Sequence, residues 1–221
     1  MSKKLLWSIT VLAIALSVPA VAQQTFFTDL GPQGNVYQCC TGWTVAGSGI
    51  LGTSFTAANT FVSLATGSVS QIDLAVSLAG GLNTFYASVW TDSGGLPGSQ
   101  LWREDGLSSN QSFGGCCNLV TITGISGLSL TAGQSYFIVL GPENLGDTTF
   151  EVLNWNSTGA TGLDLFSTDG GQNWTSNGSQ TIGAFDIIGG TNNTVPEPSS
   201  LLLLGTGLVG AFSTLRKKLM R

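Results

Sequence analysis

The stretch Gln71-Ile-Asp-Leu-Ala-Val-Ser-Leu-Ala-Gly-Gly-Leu-Asn-Thr-Phe-Tyr-Ala-Ser-Val-Trp90 decides the fold class of this chain. From Ile72 to Leu78, apolar residues occupy every second position, which is the pattern of a half-buried strand. Residues 84–91 repeat this period. Gly80 and Gly81 between the two halves supply a turn, so the stretch is predicted to form a β-hairpin.

Short runs of the same kind recur along the chain, separated by Gly, Asn and Ser, and no helical pattern occurs before residue 201. Residues 92–98 are predicted to form a loop. The further strand candidates along the chain are 26–30, 42–46, 53–57, 100–103, 119–123, 135–140, 149–155, 163–167 and 182–188. Many short strands without helices are typical of an all-β, antiparallel β-sandwich of jelly-roll type.

The charge of the β-rich part limits what it can bind. Residues 23–194 carry eleven acidic residues and one basic residue, Arg103, so eleven minus one leaves a formal charge of −10. Such a surface repels nucleic acid and anionic lipid, which excludes both as partners. The chain contains no histidine. The commonest general base and metal ligand is therefore missing, along with every Ser-His-Asp or Cys-His arrangement.

The first 22 residues have the parts of a secretory signal. Lys3 and Lys4 supply the positive start, residues 5–18 the apolar run, and Ala20-Val-Ala22 the cleavage site. We therefore predict export through the Sec translocon and removal of residues 1–22 by signal peptidase. A retained signal anchor is the alternative. Export also permits disulfides.

The last 27 residues begin with Val195-Pro196-Glu197-Pro198, which cannot be helical at the prolines. Residues 201–215 carry no charge, and the basic residues that follow, predicted to stop transfer, are Arg216, Lys217, Lys218 and Arg221. Fifteen residues of helix span about 22 Å, less than the roughly 30 Å hydrocarbon core. The sequence predicts a single C-terminal transmembrane helix that is a weak anchor; a plain, permanent anchor is the alternative.

This order of a Val-Pro-Glu-Pro box, a Leu/Gly-rich helix and a basic end resembles the PEP-CTERM sorting signal of Gram-negative bacteria. The resemblance implies recognition by an exosortase, a membrane transpeptidase, and export towards the cell surface. The predicted organisation is a signal peptide (1–22), a β-sandwich ectodomain (23–190), a polar linker (191–194) and the sorting segment (195–221).

A second resemblance covers most of residues 50–190. The turn Thr91-Asp-Ser-Gly-Gly-Leu-Pro-Gly98, the strand Leu130-Thr-Ala-Gly-Gln-Ser-Tyr-Phe-Ile-Val-Leu140 and the turn Asp169-Gly-Gly-Gln-Asn-Trp174 look like the "choice-of-anchor" surface domains of bacteria. Those are β-rich modules carried on interchangeable anchoring tails. The family has no established activity, so it supplies no functional residues.

Four cysteines form two adjacent pairs, Cys39-Cys40 and Cys116-Cys117. Three full connectivities exist. Closing a ring between neighbouring residues strains the peptide, so two cross-bridges between the pairs are favoured. A four-thiolate zinc site is the rival, but paired zinc ligands usually leave two to four residues between them. We predict disulfides and no metal.

Five tryptophans lie in the domain, and sugars stack on exposed aromatic rings. Trp174, in a turn with Asp169, and Trp90 are the candidates for a sugar platform; filling the core is the alternative. Tyr86 and Trp90 point away from Phe85 and Val89, so one of these sets should be exposed or lie under a loop. Asp92 or Asp169 could hold calcium, or simply stabilise turns through Asx hydrogen bonds.

An enzyme would have to rely on carboxylates alone. A glycosidase needs two across a cleft, and the candidates on predicted strands are Glu151, Asp164 and Asp186, although solvated charges on a sheet face explain them equally well. The sequence therefore predicts a non-enzymatic protein without catalytic residues or cofactor. Its expected role is structural or adhesive, in extracellular polysaccharide or biofilm, at the cell surface or outside the cell. A carbohydrate-binding module is the alternative, and a glycoside hydrolase a remote one.

Overall fold

The alternating pattern folds into fourteen β-strands within residues 23–190, the part of the chain that the computed structural model describes. The strands are β1 (Gln24–Thr28), β2 (Tyr37–Ala46), β3 (Thr56–Val62), β4 (Gly67–Leu74), β5 (Val76–Gly80), β6 (Phe85–Asp92), β7 (Pro97–Leu107), β8 (Val120–Thr123), β9 (Ser129–Leu130), β10 (Ser135–Gly141), β11 (Phe150–Asn156), β12 (Thr161–Ser167), β13 (Thr175–Thr181) and β14 (Phe185–Gly189). One short helix, α1 (Ser48–Leu51), follows β2. All pairings between these strands are antiparallel.

The strands form two layers. One layer is a six-stranded sheet in the order β13-β12-β3-β10-β6-β7. The other combines a five-stranded sheet, β1-β14-β4-β8 with β9 paired to β4, and a three-stranded sheet, β2-β11-β5. Backbone hydrogen bonds among Ala75, Asn154 and Ala184 join these two sheets side by side. The predicted antiparallel β-sandwich is therefore confirmed.

The main core lies between the layers. Phe61 of the six-stranded sheet meets Phe185 of the five-stranded sheet edge to face, with ring centroids 5.7 Å apart, and Leu153 of the three-stranded sheet joins the same cluster. Fully burying an apolar side chain of this size contributes about 1.5–3 kcal/mol, so contacts across the interface hold the layers together.

Strand β6 shows how alternation divides residues between two faces. Phe85 and Val89 belong to the main core, whereas Tyr86 and Trp90 pack on the opposite, outer face of the six-stranded sheet. This outer face carries a second apolar cluster that includes Phe137. A strand buried on both sides explains why the whole segment is rich in apolar residues.

The predicted hairpin across Gly80 and Gly81 is wrong. Strand β5 pairs with β11 in the three-stranded sheet, whereas β6 pairs with β10 and β7 in the other layer. Gly81 has φ of +69°, and a Cβ there would clash with the backbone of Thr148. The glycines therefore let the chain cross from one layer to the other. The hairpin that does form joins β6 to β7 around the predicted 92–98 loop.

Most of the other predicted strands overlap observed ones. The 53–57 candidate overlaps its strand only at its last two residues, because β3 begins at Thr56. Strand β13 was missed because it contains no large apolar residue and has no buried one; it lies at the edge of its sheet. Helix α1 was missed because four residues are too few to show a helical period.

The cysteines form one cross-bridge between the pairs instead of two. Cys39 is linked to Cys116 across 77 residues, with Cα atoms 5.6 Å apart. The Cys116 sulfur also lies within bonding distance of Cys117, the pairing of neighbours that the sequence disfavours, and since one sulfur forms one disulfide the two links are alternatives. Cys40 is exposed and free. Neighbouring residues of a strand point to opposite faces, so Cys40 on β2 points away from the loop that carries the other pair. The second predicted cross-bridge is not formed.

Several predictions concern residues outside 23–190. The signal peptide (1–22), the linker (191–194), the sorting box and the transmembrane helix all lie outside the described residues. Within the described part, none of the helices has the length and apolar character needed to cross a bilayer.

Candidate functional site

A cleft of about 270 Å³ opens at one side of the sandwich, where the edge strands β2 and β13 of the two layers approach each other. The Trp43 indole N–H on β2 donates to the Thr181 carbonyl oxygen on β13 at 2.9 Å, which fixes the distance between the layers here. We call this the edge cleft; its lining residues are Gly42, Trp43, Thr44, Phe55, Ala57, Asp164, Leu165, Phe166 and Asn177.

Three aromatic side chains give the edge cleft its apolar surface. Phe55 and Phe166 lie with ring centroids 6.2 Å apart, and both are half-buried. Trp43 lines the cleft from a strand of the other layer and packs against Trp155, with ring centroids 5.4 Å apart. The neighbouring indole and the hydrogen bond to Thr181 hold Trp43 in one orientation, so its ring is a fixed surface for a ligand.

One carboxylate, Asp164, lies among these aromatic rings. Its side chain is 1 % exposed, and its two oxygens accept hydrogen bonds from the amides of Asn59 at 2.7 Å and Asn177 at 2.5 Å. Burial raises the pKa of Asp164 to about 6, against the effect of the two amides. At neutral pH Asp164 is therefore mainly an ionised acceptor in a largely dry site.

A β-bulge brings Asn177 to this carboxylate. Asp164 pairs with Gly178 and Leu165 pairs with Ser176, so Asn177 is the extra residue of β13. A bulge bends the strand and redirects one side chain. Gly178 has φ of +79°, a conformation that favours glycine. The exposed Asn177 amide therefore closes over Asp164 at the mouth of the cleft.

The edge cleft has the composition of a small-ligand site. Such sites are mostly apolar with a few convergent polar groups, and they usually measure roughly 300–1,000 Å³. A cleft of about 270 Å³ accommodates a ring-sized group and is too small for a dinucleotide. The aromatic faces can stack on the apolar face of a ring, while the exposed Asn177 amide, positioned by Asp164, donates or accepts hydrogen bonds at the polar edge of that ring.

The two tryptophans predicted as a sugar platform lie together elsewhere, on the outer face of the six-stranded sheet. Trp90 and Trp174 meet edge to face at 6.4 Å, and both are half-buried against the second apolar cluster. The Trp90 indole N–H donates to Ser88 Oγ at 2.8 Å. The sequence predicts that one of the two sets of side chains on β6 is exposed or lies under a loop. In the structure, Trp174 and its turn lie over Trp90.

The two loop aspartates make the hydrogen bonds of turns. The Asp169 carboxylate accepts from the backbone N–H groups of Gln172 and Asn173 and from the Ser167 hydroxyl. Together with the Asn173 side chain, these bonds lower the pKa of Asp169 to about 2. Asp92 accepts from the Gly95 N–H at 2.7 Å. Both are arranged as in the Asx-turn alternative. The bonds of Asp169 order the loop that ends at Trp174, and that of Asp92 orders the 92–98 loop.

The carboxylates considered for hydrolysis come from separate parts of the sandwich, and Glu151 and Asp164 are buried instead of solvated. Glu151 lies on β11, Asp164 on β12 and Asp186 on β14, and these strands belong to three different sheets. Within residues 23–190, the one group of three or more cysteine or acidic side chains with ligand atoms all within 4.8 Å is Cys39, Cys116 and Cys117.

The comparison with protein-family models bears on the end of the chain. Residues 194–217 match the model of the PEP-CTERM protein-sorting motif. The chain carries a PEP-CTERM sorting motif. The match includes Val195-Pro-Glu-Pro198, Arg216 and Lys217, and it ends before Lys218 and Arg221. No curated protein and no solved structure matches the chain.

A PEP-CTERM motif marks an exported protein that is sorted at the membrane by an exosortase and then reaches the cell surface. The predictions of export and of exosortase as a partner are confirmed at this level. The resemblance of residues 50–190 to choice-of-anchor domains agrees with the observed antiparallel sandwich and stays a prediction.

Sequence reasoning missed the edge cleft as a unit. The sequence places Asp164 on a predicted strand and Trp43 among the five tryptophans of the domain, but it does not predict that the two lie close together. One local signal was present: Asn177-Gly178 inside a polar run suggests a bulge. The partners across the cleft come from strands more than 100 residues apart, and periodicity carries no information about such pairing.

Proposed function

We propose that the domain is a non-enzymatic, structural or adhesive module that binds extracellular polysaccharide through the edge cleft. The observation that carries this proposal is the rigid Trp43 surface opposite Phe55 and Phe166, with Asp164 at its centre. The sorting motif supports it independently, because an exosortase substrate reaches the surface, where polysaccharide is the abundant polymer.

The chemistry of the cleft favours a neutral or weakly basic sugar. Each sugar ring offers an apolar face for an indole and a rim of hydroxyl groups for hydrogen bonding. The exposed Asn177 amide, held in place by its hydrogen bond to Asp164, donates to and accepts from such hydroxyls. The formal charge of −10 on the domain disfavours strongly anionic polymers.

Binding without cleavage is supported by the number of carboxylates at the cleft. Glycosidic hydrolysis commonly uses a pair of carboxyl groups about 5–10 Å apart. Asp164 is the single carboxylate among the residues that line the edge cleft. Both of its oxygens are already hydrogen-bonded to asparagines.

A binding experiment tests the proposal. The full chain, purified in mild detergent, is screened on an array of bacterial oligosaccharides and then titrated with purified extracellular polysaccharide. We expect saturable binding that Trp43→Ala weakens by about tenfold or more, because a stacked ring surface is lost. Asn177→Ala, at an exposed position, should weaken binding by about threefold to tenfold without unfolding the domain.

Trp174→Ala is the matched control, since it removes an indole of the same size from the outer face. Thermal melting of each variant verifies that the domain is folded. Loss of binding in Trp174→Ala with retention in both cleft variants would move the site to the Trp90–Trp174 pair and contradict the edge cleft. Absence of binding across the array and to the polysaccharide would contradict glycan binding altogether.

A further inference from the structure

The bulge of β13 contains the one Asn-Gly pair of the chain, Asn177-Gly178. In such a pair the backbone nitrogen of the glycine can attack the side-chain carbonyl carbon of the asparagine, because the two atoms close a succinimide ring. Glycine hinders this attack least, since it has no Cβ and its backbone is the most mobile. The other asparagines of the chain are all followed by residues with a Cβ. The sequence therefore singles out one asparagine, and the local structure decides whether it reacts.

Strand β13 leaves this pair accessible and easily opened. It lies at the edge of its sheet, and none of its residues is buried. The Asn177 side chain is exposed, so water and hydroxide reach it. The Gly178 N–H donates to the Ser176 hydroxyl at 3.1 Å, near the long end of the hydrogen-bond range. Segments with few buried contacts open locally at a low cost in free energy, so the glycine nitrogen can reach the asparagine side chain.

The Asn177 amide has a role that this reaction removes. Its nitrogen donates to one Asp164 oxygen at 2.5 Å, while the Asn59 amide donates to the other at 2.7 Å. Replacing the Asn177 amide by a carboxylate takes away one of these two donors and places a second acceptor against Asp164. Two carboxylates in contact repel each other, and one of them then binds a proton more tightly.

No basic side chain of the described residues lies at this edge to neutralise an added negative charge. Arg103 is the one Lys or Arg between positions 23 and 190, and it lies on β7, at the opposite edge of the six-stranded sheet. Its guanidinium lies 2.6 Å from Asp105. The new charge therefore stays uncompensated in the edge cleft, whose wall includes both Asp164 and Asn177.

We propose that Asn177 is a site of spontaneous deamidation, which converts the edge cleft irreversibly to a more acidic form. The Gly178 nitrogen bonds to the Asn177 Cγ and gives its proton to a base in solution. The bond from Cγ to the side-chain nitrogen breaks, and that nitrogen leaves as ammonia with a proton from water. Water then opens the succinimide at either carbonyl group, which gives aspartate or isoaspartate. The reaction consumes water alone and needs no oxidant, cofactor or enzyme.

The modification follows from the bulge and does not depend on sugar binding. Its effect on a ligand rests on the proposed function, in which the Asn177 amide forms hydrogen bonds with hydroxyl groups. A carboxylate in its place only accepts, and it repels anionic polymers. Deamidation therefore weakens binding as an exported chain ages at the cell surface.

Ageing of the purified full chain at mildly alkaline pH, followed by peptide mass spectrometry, tests the site. We expect the Asn177 peptide to exchange an NH₂ group for OH about tenfold or more faster than the Asn173 peptide, since Trp174 hinders the attack where glycine does not. Asn173 is the matched internal control, because it is also exposed and its amide also donates to a carboxylate, that of Asp169, at 2.6 Å. Asn177→Gln keeps an amide but disfavours the succinimide ring, and it should abolish the exchange.

Asn177→Asp carries the product charge from the start and isolates its effect on the cleft. It should lower the melting temperature by about 4–8 °C at neutral pH, because of the repulsion from Asp164. A pKa that is raised in the folded state stabilises fully below the unfolded value and loses this contribution as the pH rises. The deficit should therefore vanish as the pH falls to the unfolded value of about 4. Asn177→Gln should melt within about 2 °C of the unmodified protein.

A synthetic peptide of residues 172–183 sets the time of the ageing experiment. An unchanged Asn177 while this peptide deamidates, or equal rates at Asn177 and Asn173, would overturn the site. An unchanged melting temperature of Asn177→Asp at neutral pH would overturn the effect on the cleft, as would glycan binding retained in full by this variant. Absence of binding by the unmodified chain contradicts the proposed function alone, because the mass and melting measurements use no ligand.

Discussion

At the scale of single residues, Glu151 is one of the buried carboxyls that make stability depend on pH. The side chain is fully buried on β11, and neither oxygen has a hydrogen-bond partner among residues 23–190. The neighbouring Ser109 hydroxyl has acceptors in Asn83 Oδ1 at 3.2 Å and the Gln111 carbonyl at 3.3 Å, and its nearness to Glu151 only partly offsets the effect of burial. Burial raises the pKa of Glu151 from its usual 4.5 to about 7.

The sign of the effect follows from proton binding. Between the unfolded pKa of 4.5 and the folded pKa of about 7, the folded state holds more protons than the unfolded one. The stabilising contribution is therefore complete below the unfolded pKa and is lost as the pH rises through about 7. A difference of this size corresponds to roughly 3 kcal/mol. Burial also raises the pKa of Asp29 to about 8 and that of Asp164 to about 6, and both act in the same direction.

We predict that Glu151→Gln flattens the pH dependence. Its free energy of unfolding should exceed that of the unmodified protein by up to roughly 3 kcal/mol at alkaline pH, and the two should converge near the unfolded pKa. Urea unfolding at several pH values measures this. Glu104→Gln is the surface control and should follow the unmodified protein. Identical pH profiles for Glu151→Gln and the unmodified protein would contradict the burial argument.

At the scale of elements, alternation predicted where strands lie but not which strands pair. The alternating apolar pattern of residues 72–78 and 84–91 falls in β4, β5 and β6. These three strands nevertheless lie in three different sheets. A glycine pair permits a tight turn or a crossing between layers equally well, and only packing against β11 decides between them. The same limit hid the edge cleft, because Trp43 and Asp164 meet through tertiary contacts alone.

The link between β2 and the 108–119 loop supports a second prediction. Cys39–Cys116 closes a loop across 77 residues, whereas Cys40 on the same strand is exposed and free. In the chain-entropy account, such a bond stabilises by roughly 4 kcal/mol. We expect Cys39→Ser to lower the melting temperature by about 10 °C. Cys40→Ser should leave it within about 1 °C, as surface changes usually do.

Peptide mapping under non-reducing conditions complements the melting curves. Cys40→Ser should retain a cross-link between the peptides containing residues 39 and 116, which Cys39→Ser should lose. Both substitutions replace a cysteine by serine at adjacent positions. A difference in melting temperature between them therefore shows which of the two thiols forms the cross-link. Equal destabilisation by both would restore the pair of cross-bridges expected from the sequence.

At the scale of the whole molecule, the chain combines an acidic sandwich with a sorting motif whose basic residues follow an apolar run. Apart from Arg103, all basic residues lie in the two terminal segments. This division separates the part that must avoid anionic surfaces from the part that must meet the membrane. Sorting should therefore depend on the tail and be indifferent to the edge cleft.

Replacing Pro196, Glu197 and Pro198 by alanine tests this separation in a host that contains an exosortase. The unmodified protein should be found at the cell surface or in the medium as a shortened chain, because the sorting motif directs processing at the membrane. The triple variant should accumulate as the longer form in the membrane fraction. Immunoblots of fractionated cells with an antibody against the sandwich measure both. Asn177→Ala, at an exposed position of the edge cleft, should be sorted and shortened normally. Equal length and location for the triple variant and the unmodified chain would show that export does not use the motif, whatever the sandwich binds.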